Sequence, residues 1–450
     1  MSKLFGTDGI REIFYSFPLD LDGLVKLGKT INTVLSKNEM NNKIVLGGDT
    51  RRSTCVIIDL LSAIFSYAGF EVYDLGVCPT PGVAYVTKKQ QCSIGIVVSA
   101  SHNPYYYNGI KFFLSNGMKL SVEIESELEK IYHAGNFTEI SREQVKPGVI
   151  HREPEFFKDY VAHVRKLFNN RKICKKAIID SANGAAYRCA PFIFDDIFES
   201  VEYINANPDG ININENCGST NISALIAQVK EKKADWGIAF DGDSDRVMIV
   251  DAEGFIFDGD YILSVLALFM KKNNILANSA VTATVMSNLG MENFLKDEGI
   301  TLRRSPVGDK YVLEKMLEEG DVIGGEQSGH IILLEDSTTG DGLISAVRFF
   351  NVLSKEPEIV EKVKKNLKKY PQVLINVKVK TGKKEIVMHD QEVIKHMENA
   401  EKTLGKRGRI LLRPSGTEHL FRVMTEGSDR NLITTVAEEV SEYIKSNYGE

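Results

Sequence analysis

The chain has 450 residues, 43% hydrophobic and 26% charged, which at roughly 150 residues per domain predicts about three domains of ordinary soluble composition. A net charge of −6 and a pI near 5.9 exclude a general nucleic-acid binder, which would be basic, but leave room for a local basic pocket that takes a small anion. No apolar run reaches the ~20 residues that span a bilayer, and the opening MSKLFGTDGIR lacks the apolar core of a signal peptide, so a cytoplasmic protein with no membrane partner is expected.

Along the chain a short apolar strand and a helical segment alternate. KIVLGGD (43–49) predicts a strand and turn, 53–69 carries helical spacing, and FEVYDLG (70–76) and CSIGIVVSA (92–100) predict further strands. A helix is expected near 121–134. VKPGVIHREP (145–154), with two prolines and a glycine, reads as a linker. A second round opens with KKAIIDSANGAA (175–186) as strand, turn and helix start. It continues through the strand VEYINAN, a helix near 221–233 and the strand and loop DWGIAFDGD. VMIVDAEGFIFDGD (247–260) predicts a hairpin with Glu253 and Gly254 at its tip. The third round places helices at 260–271, 287–299, near 309–318 and near 341–353, with strands in SAVTATV, TLRRSPVG and DVIGGEQSGHIIL. The lysine-rich stretch 355–370 reads as a solvated helix face or linker. QVLINVKVK (372–380) alternates apolar and polar residues, as a half-exposed antiparallel strand does. A helix, two strands around RILLRPSGTEHLFRVMTEG and a final amphipathic helix over 430–446 complete a separate α+β domain. The six cysteines, Cys55, Cys78, Cys92, Cys174, Cys189 and Cys217, form no CxxC pair and are expected to be buried reduced thiols.

Each α/β round sets a polar loop after a strand, where such sheets bind ligands. The sharpest is AFDGDSDRVMIVD (239–251). Asp241, Asp243 and Asp245 alternate just past an apolar strand, and carboxylates this close repel unless a cation sits among them. Hard oxygen ligands suit Mg2+ or Ca2+. An EF-hand would put glycine and glutamate where Arg246 and Ala252 stand, and a helix where a strand precedes, so that motif is excluded. The plain alternative is a solvated acidic turn. A phosphate oxygen would complete the ligand set, with Arg246 offsetting its charge. RPSGTEHLFR (413–422) brings Arg413, Ser415, Gly416, Thr417 and the returning Arg422 into an anion nest, or forms only a Ser-Gly hairpin. GGEQSGH (324–330) offers Glu326 and Ser328 to sugar hydroxyls, or is a glycine-rich turn with a structural glutamate. FGTDGIR (5–11), with Arg11, and PVGDKY (306–311) are weak signals alone. In VSASHNPYYYNG (98–109) a serine is displayed at a strand end without the G-x-S-x-G elbow of a serine hydrolase. It can carry a phosphoryl group, with His102 and Asn103 as donors and Lys111 able to move protons. Spacing does not choose between Ser99 and Ser101.

Taken together and in order, SASHNPYYYNGIKFF, DGDSDR, GGEQSGH and RPSGTEHLFR resemble the four signature sites of the α-D-phosphohexomutase superfamily, and the likeness runs from KLFGTDGIR to the C-terminus. FGTDGIR, ANPDGININENCGST (206–220) and Gln327 resemble most closely the branch that acts on glucosamine phosphates. The phosphomannomutase/phosphoglucomutase branch, which more often has Met in place of Gln327, is the alternative. The resemblance implies three similar mixed α/β domains and a smaller C-terminal α+β domain around a central cleft. Residues 1–150 would carry the phosphoserine loop, 151–252 the metal loop, 253–368 the sugar loop and 369–450 the phosphate site. It selects Ser101 as the phosphoserine and as a ligand, with Asp241, Asp243 and Asp245, to one Mg2+ per active site. It sets Lys111, His330, Arg11 and His102 near the reacting group and Arg246, Glu326, Ser328, Arg413, Ser415, Gly416, Thr417 and Arg422 on the substrate. The implied reaction is reversible exchange of glucosamine 6-phosphate and glucosamine 1-phosphate, with glucosamine or glucose 1,6-bisphosphate as intermediate or activator, in a monomer or homodimer. Three positions depart from the pattern: Ser244 for glycine, Glu12 for glycine after Arg11, and His419 for proline. A metal-dependent phosphatase would instead release inorganic phosphate, and a phosphosugar-binding protein would not turn over. The serine, metal loop and Lys111 together speak for catalysis.

Overall fold

Each α/β round ends up as one sheet, and the C-terminal round as a fourth; the computed structural model describes residues 3–6, 8–37, 41–138, 146–152, 154–415 and 420–449. The first sheet runs in the order Ile10–Ile13, Tyr107–Leu114, Ile94–Val98, Lys43–Gly48, Glu71–Val77, Ile150–Arg152. Lys43–Gly48 lies parallel between Glu71–Val77 and Ile94–Val98, whereas Tyr107–Leu114 and Ile10–Ile13 add antiparallel. Ile94–Val98 is buried at every residue, as its unbroken apolar run IGIVV requires of a central strand. Leu24, Leu27 and Ile31 of the helix Leu21–Lys37 and Ile57, Leu61 and Phe65 of Arg52–Tyr67 share one core with Ile44, Leu46, Val72 and Ile96 of the sheet.

The second sheet has the order Ile256–Phe257, Val247–Asp251, Trp236–Phe240, Ile173–Asp180, Phe198–Ile204. Its expected hairpin forms, and Gly254 at the tip has φ +85°. The third sheet has the order Thr301–Ser305, Ala280–Thr284, Ile323–Gly325, Ile331–Leu333. DVIGGEQSGHIIL is therefore two short antiparallel strands and not one. Gly329, at φ +90°, turns the chain so that Glu326 N–H donates to the His330 carbonyl, and Glu326 to Gly329 stand at a hairpin tip. The proline-flanked stretch at 145–154 is not purely a linker: Ile150–Arg152 pairs with Glu71–Val77 at the sheet edge, where so short a strand tolerates flanking prolines. Elements with no single strong signal also appear, among them the helices Leu21–Lys37, Thr80–Lys89 and Pro154–Lys166 and the strand Tyr107–Leu114.

The chain divides into two compact units, 1–286 with 299–364 and 287–298 with 365–450. In the second, Gln372–Lys378, Leu420–Gly427 and Gly408–Pro414 form an antiparallel sheet. Val377, Phe421, Val423, Val436 and Val440 build its core with the helix Arg430–Tyr448. No described helix is long and apolar enough to cross a membrane. All six cysteines are free thiols; Cys78, Cys92, Cys189 and Cys217 are buried, but Cys55 and Cys174 are exposed. Apolar neighbours in sequence do not bury Cys55, because it lies on the solvent side of the helix Arg52–Tyr67, whose Thr54, Ile57 and Ile58 face inward.

One buried carboxylate in the fold gives a pH signature. Asp341 caps the helix Gly342–Lys355: its side chain accepts from Ile344 N–H at 2.9 Å and from the Tyr160 hydroxyl at 2.9 Å. Burial pushes its carboxyl up to about 7. A group that holds its proton more tightly when folded favours the folded state at low pH and loses that contribution as pH rises from about 4 to about 7. Asp341→Asn keeps the cap and removes the titration. The variant should lose less stability than the wild type between pH 5 and pH 8, by an amount on the order of 3 kcal/mol in urea unfolding. Identical pH slopes for the two proteins would refute the assignment.

Candidate active site

Three loops meet in the larger unit. The first follows Ile94–Val98. Its Ser101 is buried and held at φ +51°, a left-handed conformation that serine adopts at a cost. Two groups hold its backbone carbonyl: Asn214 Nδ2 donates at 2.9 Å and the buried Arg51 at 3.3 Å, while Arg51 is itself paired with Asp49. Geometry separates the two serines. Ser99 Oγ accepts from Ser101 N–H at 2.9 Å, a supporting bond, whereas Ser101 Oγ donates to Asp241 at 2.6 Å.

The second loop follows Trp236–Phe240 and carries the aspartates. Asp241, Asp243 and Asp245 are buried, and one carboxylate oxygen from each lies within 4.8 Å of the others. Gly242 brings this loop against the serine loop, where a Cβ would stand 2.5 Å from the Ser101 carbonyl oxygen. Ser244 is at φ +61°, so the position that departs from glycine in sequence is one whose backbone favours glycine. Asp243 Oδ2 accepts from Thr80 Oγ at 2.6 Å and from Lys111 at 3.0 Å, and Asp245 Oδ2 accepts from Lys111 at 3.1 Å. The second oxygens of Asp243 and Asp245 are buried without a hydrogen-bond partner. Buried carboxylate oxygens left open on facing groups, beside a serine hydroxyl, are the donor set a hard divalent cation such as Mg2+ takes.

The charges are unevenly shared. Burial, with Asp245 and Asp243 beside it, pushes the Asp241 carboxyl well above the usual carboxylate range. Burial works the same way on Asp245, but Lys111, His330 and Arg246 outweigh it and hold that carboxyl well below the range. Burial disfavours the Lys111 ammonium, yet Asp243, Asp245 and Asp8 overcome this and keep it charged. These carboxylates hold Lys111 as a cation in this arrangement. His102 Nδ1 lies 3.4 Å from Ser101 Oγ; burial and the charges of Arg246 and Arg11 lower its imidazole to about 4, so it is neutral at pH 7.

The third loop is the hairpin tip. Glu326 accepts from Ser328 Oγ at 3.0 Å and from Gly308 N–H at 3.2 Å. With Met248, Asp258 and Thr284 these side chains line a cavity of about 430 Å³. His330 pairs as a bridge with Arg246 and sits against Gly340, where a Cβ would stand 2.1 Å from the imidazole. Arg11, on Ile10–Ile13, donates to the Asn103 side chain at 3.3 Å. Ser101, His102, Lys111, Arg11, Asp241, Asp243, Asp245, Arg246, Glu326, Ser328 and His330 thus belong to one unit. Arg413, Ser415 and Arg422 belong to the other, where Arg413 and Arg422 are register partners on adjacent strands. Lys384 donates to the Ser415 carbonyl at 2.6 Å. Gly416, Thr417 and His419 lie outside the described residues. Arg51, Thr80 and Asn214 carry no pattern that marks them in the sequence. Asn214 falls within ANPDGININENCGST, a stretch whose only signal is its family likeness.

Comparison with known proteins matches nearly the whole chain. Residues 2–139, 158–254 and 258–370 match alpha/beta/alpha domains I, II and III of phosphoglucomutase/phosphomannomutase, and 374–443 match its C-terminal domain. The chain is 43% identical over 448 residues to the phosphoglucosamine mutase of Caldicellulosiruptor bescii, covering 99% of each. A phosphoglucomutase/phosphomannomutase family protein from Burkholderia thailandensis superposes with a TM-score of 0.81 at 20% identity, over 99% of this chain and 97% of that one. An Aspergillus fumigatus N-acetylphosphoglucosamine mutase, solved with GlcNAc-6P and magnesium, gives 0.64 at 16% identity, over 98% and 95%.

Two measurements test the site as built. Asp243→Asn should weaken Mg2+ binding in calorimetric titration by at least about tenfold; an unchanged isotherm would remove the triad as a cation site. Ser244→Gly relieves a left-handed serine and deletes a buried hydroxyl without a partner. It should raise the unfolding temperature by about 1–2 °C, the size expected for roughly 1 kcal/mol in a large unit. A lower unfolding temperature would count against the strain.

Proposed function

Because the chain belongs to the phosphoglucomutase/phosphomannomutase family, we infer that it is an intramolecular phosphotransferase acting as a phosphoglucosamine mutase, interconverting glucosamine 6-phosphate and glucosamine 1-phosphate. The observation that carries this reading is the 2.6 Å contact between Ser101 Oγ and Asp241 inside the buried aspartate triad, in a chain 43% identical along its length to a phosphoglucosamine mutase. The Ser101 oxygen carries the phosphoryl group between turnovers. Its P–O bond breaks as a new one forms to a sugar hydroxyl, giving glucosamine 1,6-bisphosphate. After the bisphosphate turns over, the other phosphoryl group returns to Ser101, so the enzyme ends as it began.

Asp241, Asp243, Asp245 and the phosphorylated Ser101 would hold one Mg2+, which when bound supplies neutralisation of the transferring oxygens. The remaining work falls to the chain. Phosphoryl transfer through a loose transition state needs positioning and charge stabilisation more than covalent help. Lys111 and Arg246, both kept charged by the carboxylates around them, supply fixed positive charge beside the transferring group. His102, neutral and 3.4 Å from the serine oxygen, receives the proton of the attacking hydroxyl. Arg11 joins through Asn103. Glu326 and Ser328 take sugar hydroxyls in the cavity they line. Arg413, Ser415, Gly416, Thr417 and Arg422 take the phosphate that is held and not transferred.

The reading is tested by assaying interconversion of glucosamine, N-acetylglucosamine, glucose and mannose phosphates, with and without 1,6-bisphosphate, on the wild type and Ser101→Ala. Glucosamine phosphates should turn over fastest, and Ser101→Ala should lose at least about 10³-fold on every sugar. Full activity in Ser101→Ala would remove the phosphoserine. Net release of inorganic phosphate would make the protein a phosphatase, and faster turnover of glucose or mannose phosphates would move it to the phosphoglucomutase/phosphomannomutase branch.

A further inference from the structure

The ion pairs around Lys111 do not stop at the metal loop. Its ammonium lies 2.8 Å from Asp8, as well as 3.0 Å and 3.1 Å from Asp243 and Asp245. A lysine ammonium has three donors, and here three carboxylates face them. Asp8 also pairs with Lys119, and Lys119 pairs in turn with Asp309. Asp309 lies 3.4 Å from Nε2 of His330, whose Nδ1 lies 3.6 Å from Asp245. The contacts therefore close: Lys111, Asp8, Lys119, Asp309, His330, Asp245 and back to Lys111.

The backbone sets each member from a different direction. Lys111 lies on Tyr107–Leu114, and Asp8 just precedes Ile10–Ile13, which pairs with that strand. Lys119 follows the turn beyond the strand and bridges back to Phe113. Asp309 is the first residue of the helix Asp309–Glu319, where a carboxylate is favoured, and His330 follows the hairpin tip of the third sheet. Lys119 is the tie between the arm that holds Lys111 and the arm that holds His330. Without it, Asp8 and Asp309 would face each other with no cation between them, and both arms would be free to relax.

We propose that Asp8, Lys119 and Asp309 are positioning residues that close a ring of ion pairs around Lys111 and His330, fixing those two groups relative to each other at the transfer site. The proposal rests on the phosphoryl-transfer reading for its effect on rate, though not for its geometry.

The test uses the full-length enzyme. Lys119→Met/Asp309→Asn removes one charge of each sign and leaves Asp8 to Lys111. With glucosamine 1-phosphate and bisphosphate, kcat should fall about 100-fold while KM stays within about threefold, the pattern of misplaced groups and not of lost substrate binding. Lys119→Arg, which keeps the tie, should stay within about tenfold of wild-type kcat. A crystal structure of the double variant should find Lys111 drawn away from Asp243 or Asp245, or His330 turned from Asp245. A folded double variant with kcat within about twofold of wild type, or with both side chains unmoved, overturns the ring. If the double variant does not accumulate in folded form, Lys119→Gln goes through the same two measurements, and the same outcomes support or overturn the ring. A wild type inert on every sugar phosphate would sink the mutase reading instead, and the crystal structure would still decide the ring.

Discussion

Everything at this site follows from one electrostatic constraint: buried carboxylates are gathered within a cation's reach of one serine oxygen. Removing a charge from water costs several kcal/mol even after relaxation, and like charges nearby add to it. The structure meets that cost in two ways. Lys111, Arg246 and His330 crowd the Asp245 side of the cluster and hold its carboxyl low. Asp241, driven up by burial and its fellow aspartates, keeps the hydrogen bond from Ser101. The cluster is thus polarised, with fixed cations at one end and the serine at the other. Fixed positive charge of this kind is what electrostatic preorganisation of a transferring phosphoryl group demands.

The fold serves this constraint by ending strands at the right points. Ser101 lies past Ile94–Val98, the aspartates past Trp236–Phe240, and Glu326 to His330 between Ile323–Gly325 and Ile331–Leu333. Fully apolar strands anchor short polar loops, and glycine lets two of those loops approach to contact distance at Gly242. Close approach has a conformational cost as well. Ser101 and Ser244 both occupy left-handed backbone, on either side of the same contact. Such residues persist where the surroundings over-determine them. Here Arg51 and Asn214 do so for Ser101, and the Gly342 N–H, donating to the Ser244 carbonyl at 3.0 Å, does so for Ser244.

Much of this was legible in the amino-acid sequence, and the reasons are physical. An unbroken run such as IGIVV can only be buried, and three alternating aspartates beside it can only be tolerated with compensation nearby. Those two facts give a sheet and a candidate cation site without coordinates. What remained hidden has no periodicity to betray it. Lys119 is a charged residue on an unremarkable stretch, Asp309 sits in PVGDKY, a weak signal by itself, and their pairing spans 190 residues. Thr80 begins a helix whose small residues form no clear pattern, yet its hydroxyl reaches a metal-loop aspartate 163 residues on. Ser99 and Ser101 are two residues apart and alike in kind; only the direction of their hydrogen bonds tells support from display. The hairpin tip was masked because two short strands and a tight turn carry the same apolar flanks as one strand.

The two units set the limits of what one loop can do. The serine, the aspartates and the Glu326 hairpin lie in one, and Arg413 and Arg422 in the other. A mutase must present either end of its intermediate to the same serine, so the groups that break a P–O bond must stay fixed while those that hold the far phosphate need only recognise an anion. The division of labour agrees with that demand. Around Ser101 the ammonium and imidazole are each held by more than one carboxylate, which leaves little freedom. On the antiparallel sheet of the second unit, Arg413 and Arg422 are partners in a single register pair. The two places differ in how many buried charges each must keep apart.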